Sequence, residues 1–262
     1  MEDILKHFLL GIIQGLTEFL PVSSSGHIEL TKFFLGFEPE NNLLFTVVVH
    51  FATALSTIVV FRQEIIKIFK GLLSRDTSTI RFSGYIIISM IPAALIGVFL
   101  DDLIESFFDG MVLLVICCLL ISAFLLIVAD ASRYTNKHIG WKEAIIIGIA
   151  QAIAILPGIS RSGATIATSV ILKVNREEAA RFSFLMVVPL IFGKMAKDVM
   201  DGALTDADIH LLPLFVGFIA AFFVGIIACN WMIKLVVKSN LKIFSFYLLF
   251  ISAVASIWYF LQ

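Results

Sequence analysis

Charge is scarce in this chain, and what there is has no preferred sign. Only 15 % of the 262 residues are Asp, Glu, Lys or Arg, and 19 basic side chains face 20 acidic ones, for a formal net charge of −1. Soluble domains carry about 25 % charged residues, so a water-soluble globule or a disordered chain of this length is excluded. No basic excess exists to hold a phosphate backbone, which excludes a nucleic-acid binder. Cysteine is scarce too. Cys117, Cys118 and Cys229 lie inside apolar runs, and an odd set without CxxC spacing gives neither a disulfide framework nor a zinc site. A cleavable signal peptide is not expected, because the apolar stretch after Lys6 runs into Glu18 and a Pro-Ser-Gly turn.

What is abundant is hydrocarbon. Hydrophobic residues make up 60 % of the chain and its mean hydropathy is +1.01. A membrane-spanning helix needs about 20 mostly apolar residues. Five runs qualify, roughly 44–61, 83–100, 111–129, 211–233 and 243–261. A sixth, about 182–200, is apolar as far as Phe192 and ends on Lys194, Lys197 and Asp198, charges able to snorkel to an interface. Two further apolar regions are interrupted. Residues 8–35 contain Gln14, Glu18 and Pro-Val-Ser-Ser-Ser-Gly-His at 21–27; residues 143–172 contain Gln151 and Pro-Gly-Ile-Ser-Arg-Ser-Gly at 157–163. Each reads as a helix, a polar break and a second short helix, with Pro and Gly stopping the first and Ser capping the second. Such breaks persist at membrane depth only where they are buried in protein or line a wet cavity.

Lys and Arg mark the cytoplasmic loops. Arg62, Lys67, Lys70, Arg75 and Arg81 place the first long loop inside; Asp101, Asp102, Glu105 and Asp109 place the next outside; Arg133, Lys137 and Lys142 return the chain inside. Asp201, Asp206 and Asp208 are then external and Lys234, Lys238 and Lys242 internal. This alternation holds only if 8–35 enters and leaves from the external side and 143–172, followed by Lys173, Arg176 and Arg181, from the cytoplasmic side. The expected fold is therefore an all-α, single-domain, multi-pass membrane protein of two inverted-topology repeats, 1–135 and 136–262. Each repeat has one re-entrant hairpin and three spans, six spans in total, and both termini are external. A shift of 137 positions supports the duplication by placing Gln14 on Gln151, Ser23 on Ser160, Ser25 on Ser162, Gly26 on Gly163 and Phe45 on Phe182. Inverted repeats with broken helices put their polar site where the repeats meet.

The two breaks read as one site. Gln14 and Glu18 are four apart and share a helix face. A carboxylate in an apolar stretch is costly and usually functional, although a satisfied structural or interfacial carboxylate is the plainer alternative. Ser24 and His27 share the first turn of the next helix, as a nucleophile–base pair or as a capping serine beside a histidine. Arg161 needs an anionic partner. Either it grips phosphate oxygens with its planar fork, or it pairs with Glu18 and ties the halves together, and the two readings are compatible. Helix N-termini attract anions, so Ser23, Ser25 and Gly26 at one break and Ser160, Ser162, Gly163 and Thr165 at the other are candidate phosphate contacts. Carboxylate and phosphate repel unless a cation lies between them. Glu18, with Gln14 as a neutral oxygen donor, suits a Mg²⁺ shared with substrate phosphates.

Gln14-Gly-Leu-Thr-Glu18-Phe-Leu-Pro-Val-Ser-Ser-Ser-Gly-His27 and Pro157-Gly-Ile-Ser-Arg-Ser-Gly-Ala-Thr165 resemble the two signature motifs of the undecaprenyl-diphosphate phosphatase (bacitracin-resistance) family. Phe182-Ser-Phe-Leu, followed by Pro189, resembles a third segment, and the likeness spans essentially the whole chain. The resemblance implies a bacterial plasma-membrane phosphatase whose site opens to the external side. It implies a polyprenyl diphosphate lipid as substrate, a divalent cation (Mg²⁺ or Ca²⁺) as cofactor, and return of the monophosphate to cell-wall synthesis, with resistance to bacitracin as the consequence. It also implies catalytic roles for Glu18, Ser24, His27 and Arg161. Gln14 stands where many members carry Glu, Thr46 where many carry an acid, and Lys194 where a small residue is usual. His50 stands at a Gln/His position, with a helix-packing role as open as a direct one. Attack by Ser24 with His27 as base, attack by His27 itself, or attack by metal-bound water are the three routes to phosphoanhydride hydrolysis. Besides the bilayer and the lipid, a second copy of the chain is a candidate partner and nucleic acid is not. The rival class is transport, a lipid-phosphate flippase or anion carrier, which needs the basic anion site but neither Glu18 nor the Ser24/His27 pair. A non-enzymatic lipid-binding protein would need no cation.

Overall fold

The computed structural model describes residues 2–35, 42–107, 111–132, 135–200, 211–238 and 240–261. Among these residues the regular structure is helical throughout, apart from one isolated bridge between Lys137 and Val174. In chain order the helices are α1 (Glu2–Thr17), α2 (Ser24–Leu35), α3 (Asn42–Val60), α4 (Arg62–Leu73), α5 (Thr77–Phe99), α6 (Asp101–Ser106), α7 (Val112–Asp130), α8 (Trp141–Ile153), α9 (Arg161–Ile171), α10 (Arg176–Met200), α11 (Leu211–Val237) and α12 (Lys242–Leu261).

Helices α5, α7, α10, α11 and α12 are long and apolar enough to cross a bilayer, and α3 with α4 makes a sixth candidate bent by 73°. The chain is thus an all-α membrane protein, with its spans where the apolar runs put them. Their outer faces stay apolar. Ile87, Val98, Phe124, Phe215, Phe223, Ile227, Phe246 and Phe250 are all exposed, which suits hydrocarbon and not water. The acidic and basic loop markers Asp109, Arg133, Asp201, Asp206 and Asp208 lie outside the described residues.

One expectation is corrected. The stretch after residue 61, read as a charged loop, is largely the helix α4. Ile66, Phe69 and Leu72 are exposed on it beside Lys67 and Lys70, and none of its residues is fully buried. Amphipathic helices of this kind lie in the membrane interface. The apolar run sets the span, but the 3.6-residue rhythm of Ile65, Ile66, Ile68, Phe69 and Leu72 continues past it and keeps the backbone helical after the bend.

The two interrupted regions fold as expected into helix, break and short helix. α1 stops at Thr17, before Pro21, and α8 stops at Ile153, before Pro157. Ser160 caps α9, its Oγ accepting from the Gly163 amide at 3.0 Å, and Ser23 Oγ accepts from the Gly26 amide at 3.2 Å. The first arm of each hairpin packs against a span of the other half, α1 along α11 and α8 along α5. Small residues allow it. A methyl group on Gly11 would stand 2.4 Å from the Gly217 carbonyl oxygen, and one on Gly148 would stand 2.5 Å from that of Ser89.

Candidate active site

The breaks meet. A Cβ on Gly26 would stand 3.0 Å from the Cα of Gly158, and Ser162 Oγ donates to the Leu20 carbonyl at 3.1 Å, across 142 residues of sequence. Gly158 turns with φ +94° against α7, where a Cβ would meet the Val115 carbonyl oxygen at 2.5 Å, so the turn and the close approach both require glycine. Ser122 of α7 binds this loop from behind, accepting from the Ser160 amide at 3.0 Å and donating to the Gly158 carbonyl at 3.4 Å. In the first break the left-handed residue is Ser23, at φ 70°. A non-glycine there costs on the order of 1–3 kcal/mol, a strain found mostly at functional sites.

Glu18 follows the end of α1 and is 8 % exposed. Its Oε1 accepts from the Nη2 of Arg161, the first residue of α9, in a direct ion pair. Its Oε2 accepts from Ser24 Oγ at 2.7 Å and from Gln14 Nε2 at 3.0 Å. An amide next to a carboxylate must turn its N–H₂ toward it, and this leaves Gln14 Oε1 buried without a hydrogen-bond partner. A fourth group, His50 Nε2, stands 3.8 Å from Oε2. Four elements thus converge on one carboxylate: α1, α2, α3 and α9.

Of the residues singled out in the sequence, Gln14, Glu18, Ser24 and Arg161 come together. Ser23 and Ser160 cap their helices, and each hydroxyl lies near that of the serine two residues on, Ser25 at 3.3 Å and Ser162 at 3.4 Å. Gly26 and Gly163 supply the capped amides. Thr165 lies one turn into α9, buried, with its hydroxyl 2.6 Å from that of Ser183. His27 stands apart from Ser24. Its Nδ1 donates to the Ser23 carbonyl at 2.8 Å, and its Nε2 lies 2.8 Å from the hydroxyl of Tyr247 on α12, with the two rings stacked. The hydroxyl of Ser24 points at Glu18 instead.

A small cavity of about 10 Å³, roughly the room of one water, opens beside the ion pair and is lined by Glu18, Arg161, Ser162, Thr53, Thr57 and Ser183 among others. Thr53, Thr57, Ser183 and Tyr247 escaped the sequence reading. A faint signal existed for the threonines, since His50, Thr53 and Thr57 fall on one face of an otherwise apolar span. Tyr247 had none, because an aromatic near a span end is what any membrane helix shows.

Apolar helices enclosing two capped helix N-termini, an acid and a guanidinium define a membrane protein with a buried polar site at the meeting of two broken helices. The chain belongs to the family described as Bacitracin resistance protein BacA, whose profile matches residues 7–254. It is 54 % identical over 263 aligned positions to an undecaprenyl-diphosphatase of Christiangramia forsetii, covering 99 % of this chain and all of that one. It is 48 % identical over 244 positions to the undecaprenyl-diphosphatase of Bacteroides fragilis (91 % and 92 % covered), and 37 % identical over 264 to undecaprenyl-diphosphatase 2 of Bacillus thuringiensis (97 % of each).

Proposed function

We infer that the protein is an undecaprenyl-diphosphate phosphatase, hydrolysing the phosphoanhydride of the lipid to undecaprenyl phosphate and inorganic phosphate. The observation that carries this is the convergence of Glu18, Ser24 and Arg161 at the tips of two capped helices, in a chain whose relatives bear that enzyme's name. Beside the cavity Arg161 is held by Glu18. On binding, Arg161 exchanges the Glu18 carboxylate for phosphate oxygens, which its fork holds in two-point fashion. The N-termini of α2 and α9 add amide donors and the positive ends of their dipoles. Positioning and charge stabilisation of this kind are most of what phosphoryl transfer requires.

Ser24 Oγ is the nucleophile the geometry favours. It forms a bond to the terminal phosphorus as the bridging oxygen leaves on the lipid monophosphate; the Glu18 carboxylate, which its hydroxyl faces, orients it, and its proton passes to a non-bridging oxygen of the substrate. Water then cleaves the phosphoserine and releases phosphate. His27 enters as the base for that water once Tyr247 releases Nε2.

A divalent cation, Mg²⁺ or Ca²⁺, belongs to this reading. Among the described residues no three His, Cys, Asp or Glu side chains form a metal cluster, so the substrate must supply ligands. The residues present fit that role: one carboxylate, and beside it the orphaned Gln14 Oε1 that a turn of the amide would offer. Bound there, the ion would neutralise charge on the transferred phosphoryl group.

The repeat architecture also belongs to this reading. It is supported by Gln14 and Gln151, each buried with an unpartnered Oε1, by the matching caps of Ser23 and Ser160, and by the matching close approaches of Gly11 and Gly148. The basic residues of α4, Arg62, Lys67 and Lys70, support a cytoplasmic end there, with the site facing outward and both termini external. Phosphate release from undecaprenyl diphosphate by the purified protein in detergent, with and without chelator, tests the enzyme. No release with cation present refutes it.

A further inference from the structure

Among the described residues Glu18 is the one carboxylate at this site, and its Oε1 already faces Arg161. One acid is little for a divalent cation, yet a second donor stands beside it. His50 lies in the middle of α3, where Nδ1 donates to the Thr46 carbonyl one turn earlier at 2.8 Å. In the neutral ring that bond places the hydrogen on Nδ1, so Nε2 is the atom that would meet a metal. Nε2 is the atom turned toward Glu18, 3.8 Å from Oε2. Nitrogen and oxygen ligands sit about 2.0–2.2 Å from a bound metal, so two atoms at this separation reach one ion without a shift of either backbone. The imidazole side chain is 30 % exposed and the carboxylate 5 %, so the ring is the more open member of the pair. The backbone carbonyl behind Nδ1 is the support that metal-binding histidines commonly have.

We propose that His50 is a ligand of the divalent cation, giving a mixed site of one carboxylate oxygen, the Gln14 amide oxygen and one imidazole nitrogen, closed by diphosphate oxygens. The proposal rests on the cation reading above and deepens it. It carries a consequence for selectivity. Imidazole suits the later first-row metals better than Ca²⁺, so loss of His50 should weaken Co²⁺ binding more than Ca²⁺ binding, with Mn²⁺ serving as the spectroscopic probe of the site.

The test is pulsed EPR on the full-length protein in detergent, loaded with Mn²⁺ in the presence of methylenediphosphonate, a diphosphate that cannot be hydrolysed at its bridge. Modulation from a directly bound ¹⁴N is expected, and it changes to the ¹⁵N pattern when the protein is grown on ¹⁵N-histidine. His50→Gln, an oxygen donor of similar reach, abolishes the nitrogen signal and weakens Mn²⁺ binding roughly tenfold or more, the scale on which metal sites respond to lost support. His27→Gln leaves the signal in place. Bound Mn²⁺ without nitrogen modulation, or modulation that survives His50→Gln, overturns the proposal. So does a failure to bind Mn²⁺ at all. Phosphate release measured on the same preparation separates these outcomes from failure of the enzyme reading, since lipid hydrolysis can persist with His50 uninvolved. The ¹⁵N-histidine measurement uses the unmutated protein and does not depend on the variant folding.

Discussion

Glu18 and Arg161 lie 143 residues apart in the chain, one in each polar break, and share a single ion pair. The pair ties the two hairpins together, and on the proposed mechanism the same two charges take up a cation and a phosphate, which would couple stability and function at one contact.

Removing one partner strands the other. Glu18→Gln leaves the Arg161 guanidinium without its counter-ion, and breaking a buried pair in this way costs about 3–5 kcal/mol. A marked fall in the unfolding temperature in detergent is expected. The Glu18→Gln/Arg161→Gln double variant should be less destabilised than the sum of the single ones, because residues in one network couple. Arg161→Lys keeps the charge but loses the fork, and kcat for phosphate release should fall on the order of 10²-fold or more. Near-normal turnover of the lysine variant would confine Arg161 to a structural role.

Tyr247 faces His27 across the site. Its hydroxyl is 2.8 Å from Nε2, and the ring stacks on the imidazole. Tyr247→Phe keeps the stacking and removes the hydrogen bond of about 1 kcal/mol that Nε2 must break before it can act, so kcat should hold or rise several-fold with little change in KM. In His27→Ala the further change Tyr247→Phe should have no effect. An effect of Tyr247→Phe that persists in the double variant would show that Tyr247 works by another route.

Much of the candidate site's clustering was legible because polar residues are so rare here that each one is informative. Gln14, Glu18, Ser24 and Arg161 interrupt hydrocarbon, and a charge in hydrocarbon demands a partner. What was not legible was direction. Ser24 and His27, three apart on a helix, share a face by periodicity alone, yet the imidazole is pulled to the Ser23 carbonyl and Tyr247 while the hydroxyl turns to Glu18. Side-chain orientation depends on partners far away in sequence. α4 escaped notice for the opposite reason: its charges looked like a loop, and only their spacing between apolar residues marks an amphipathic helix. Ser122 is a single hydroxyl in α7, and nothing local indicates that it supports the loop at Gly158.

The start of α5 predicts a simple pH response. Asp76 caps this helix, accepting from the Thr79 amide at 2.8 Å and from the hydroxyls of Ser78 and Thr79. The Ser78 hydroxyl first, then the Thr79 hydroxyl and amide, hold its carboxyl at about 2, below the ordinary 3.8. A group depressed on folding stabilises above its unfolded value, and the gain disappears as pH falls through the folded value. The difference in unfolding temperature between the unmutated protein and Asp76→Ala should therefore be constant from pH 7 to about pH 5 and shrink between about pH 4 and pH 2. A difference that stays level across that range would show that the ionised cap contributes nothing.

The contacts of Gly11 and Gly148 test the duplication through stability. Each lies in the first arm of a hairpin, and each lets that arm touch the backbone of a span in the other half, at Gly217 and Ser89 respectively. A methyl group at either position would enter backbone that cannot yield as a flexible side chain can. Gly11→Ala and Gly148→Ala should each destabilise by about 1–3 kcal/mol, the usual cost of overpacking, even though alanine is the better helix former. Gly84→Ala and Gly97→Ala in α5 are the controls, since an added Cβ there meets nothing within 4 Å. Those two should be neutral or gain up to about 1 kcal/mol from helix propensity. Thermal unfolding of the four variants in one detergent gives the comparison. Equal losses at Gly11 and Gly148 are what two copies of one packing solution require. A large loss at one with none at the other would mean that the halves have diverged in how their hairpins are seated, and that the likeness of their caps does not extend to their packing.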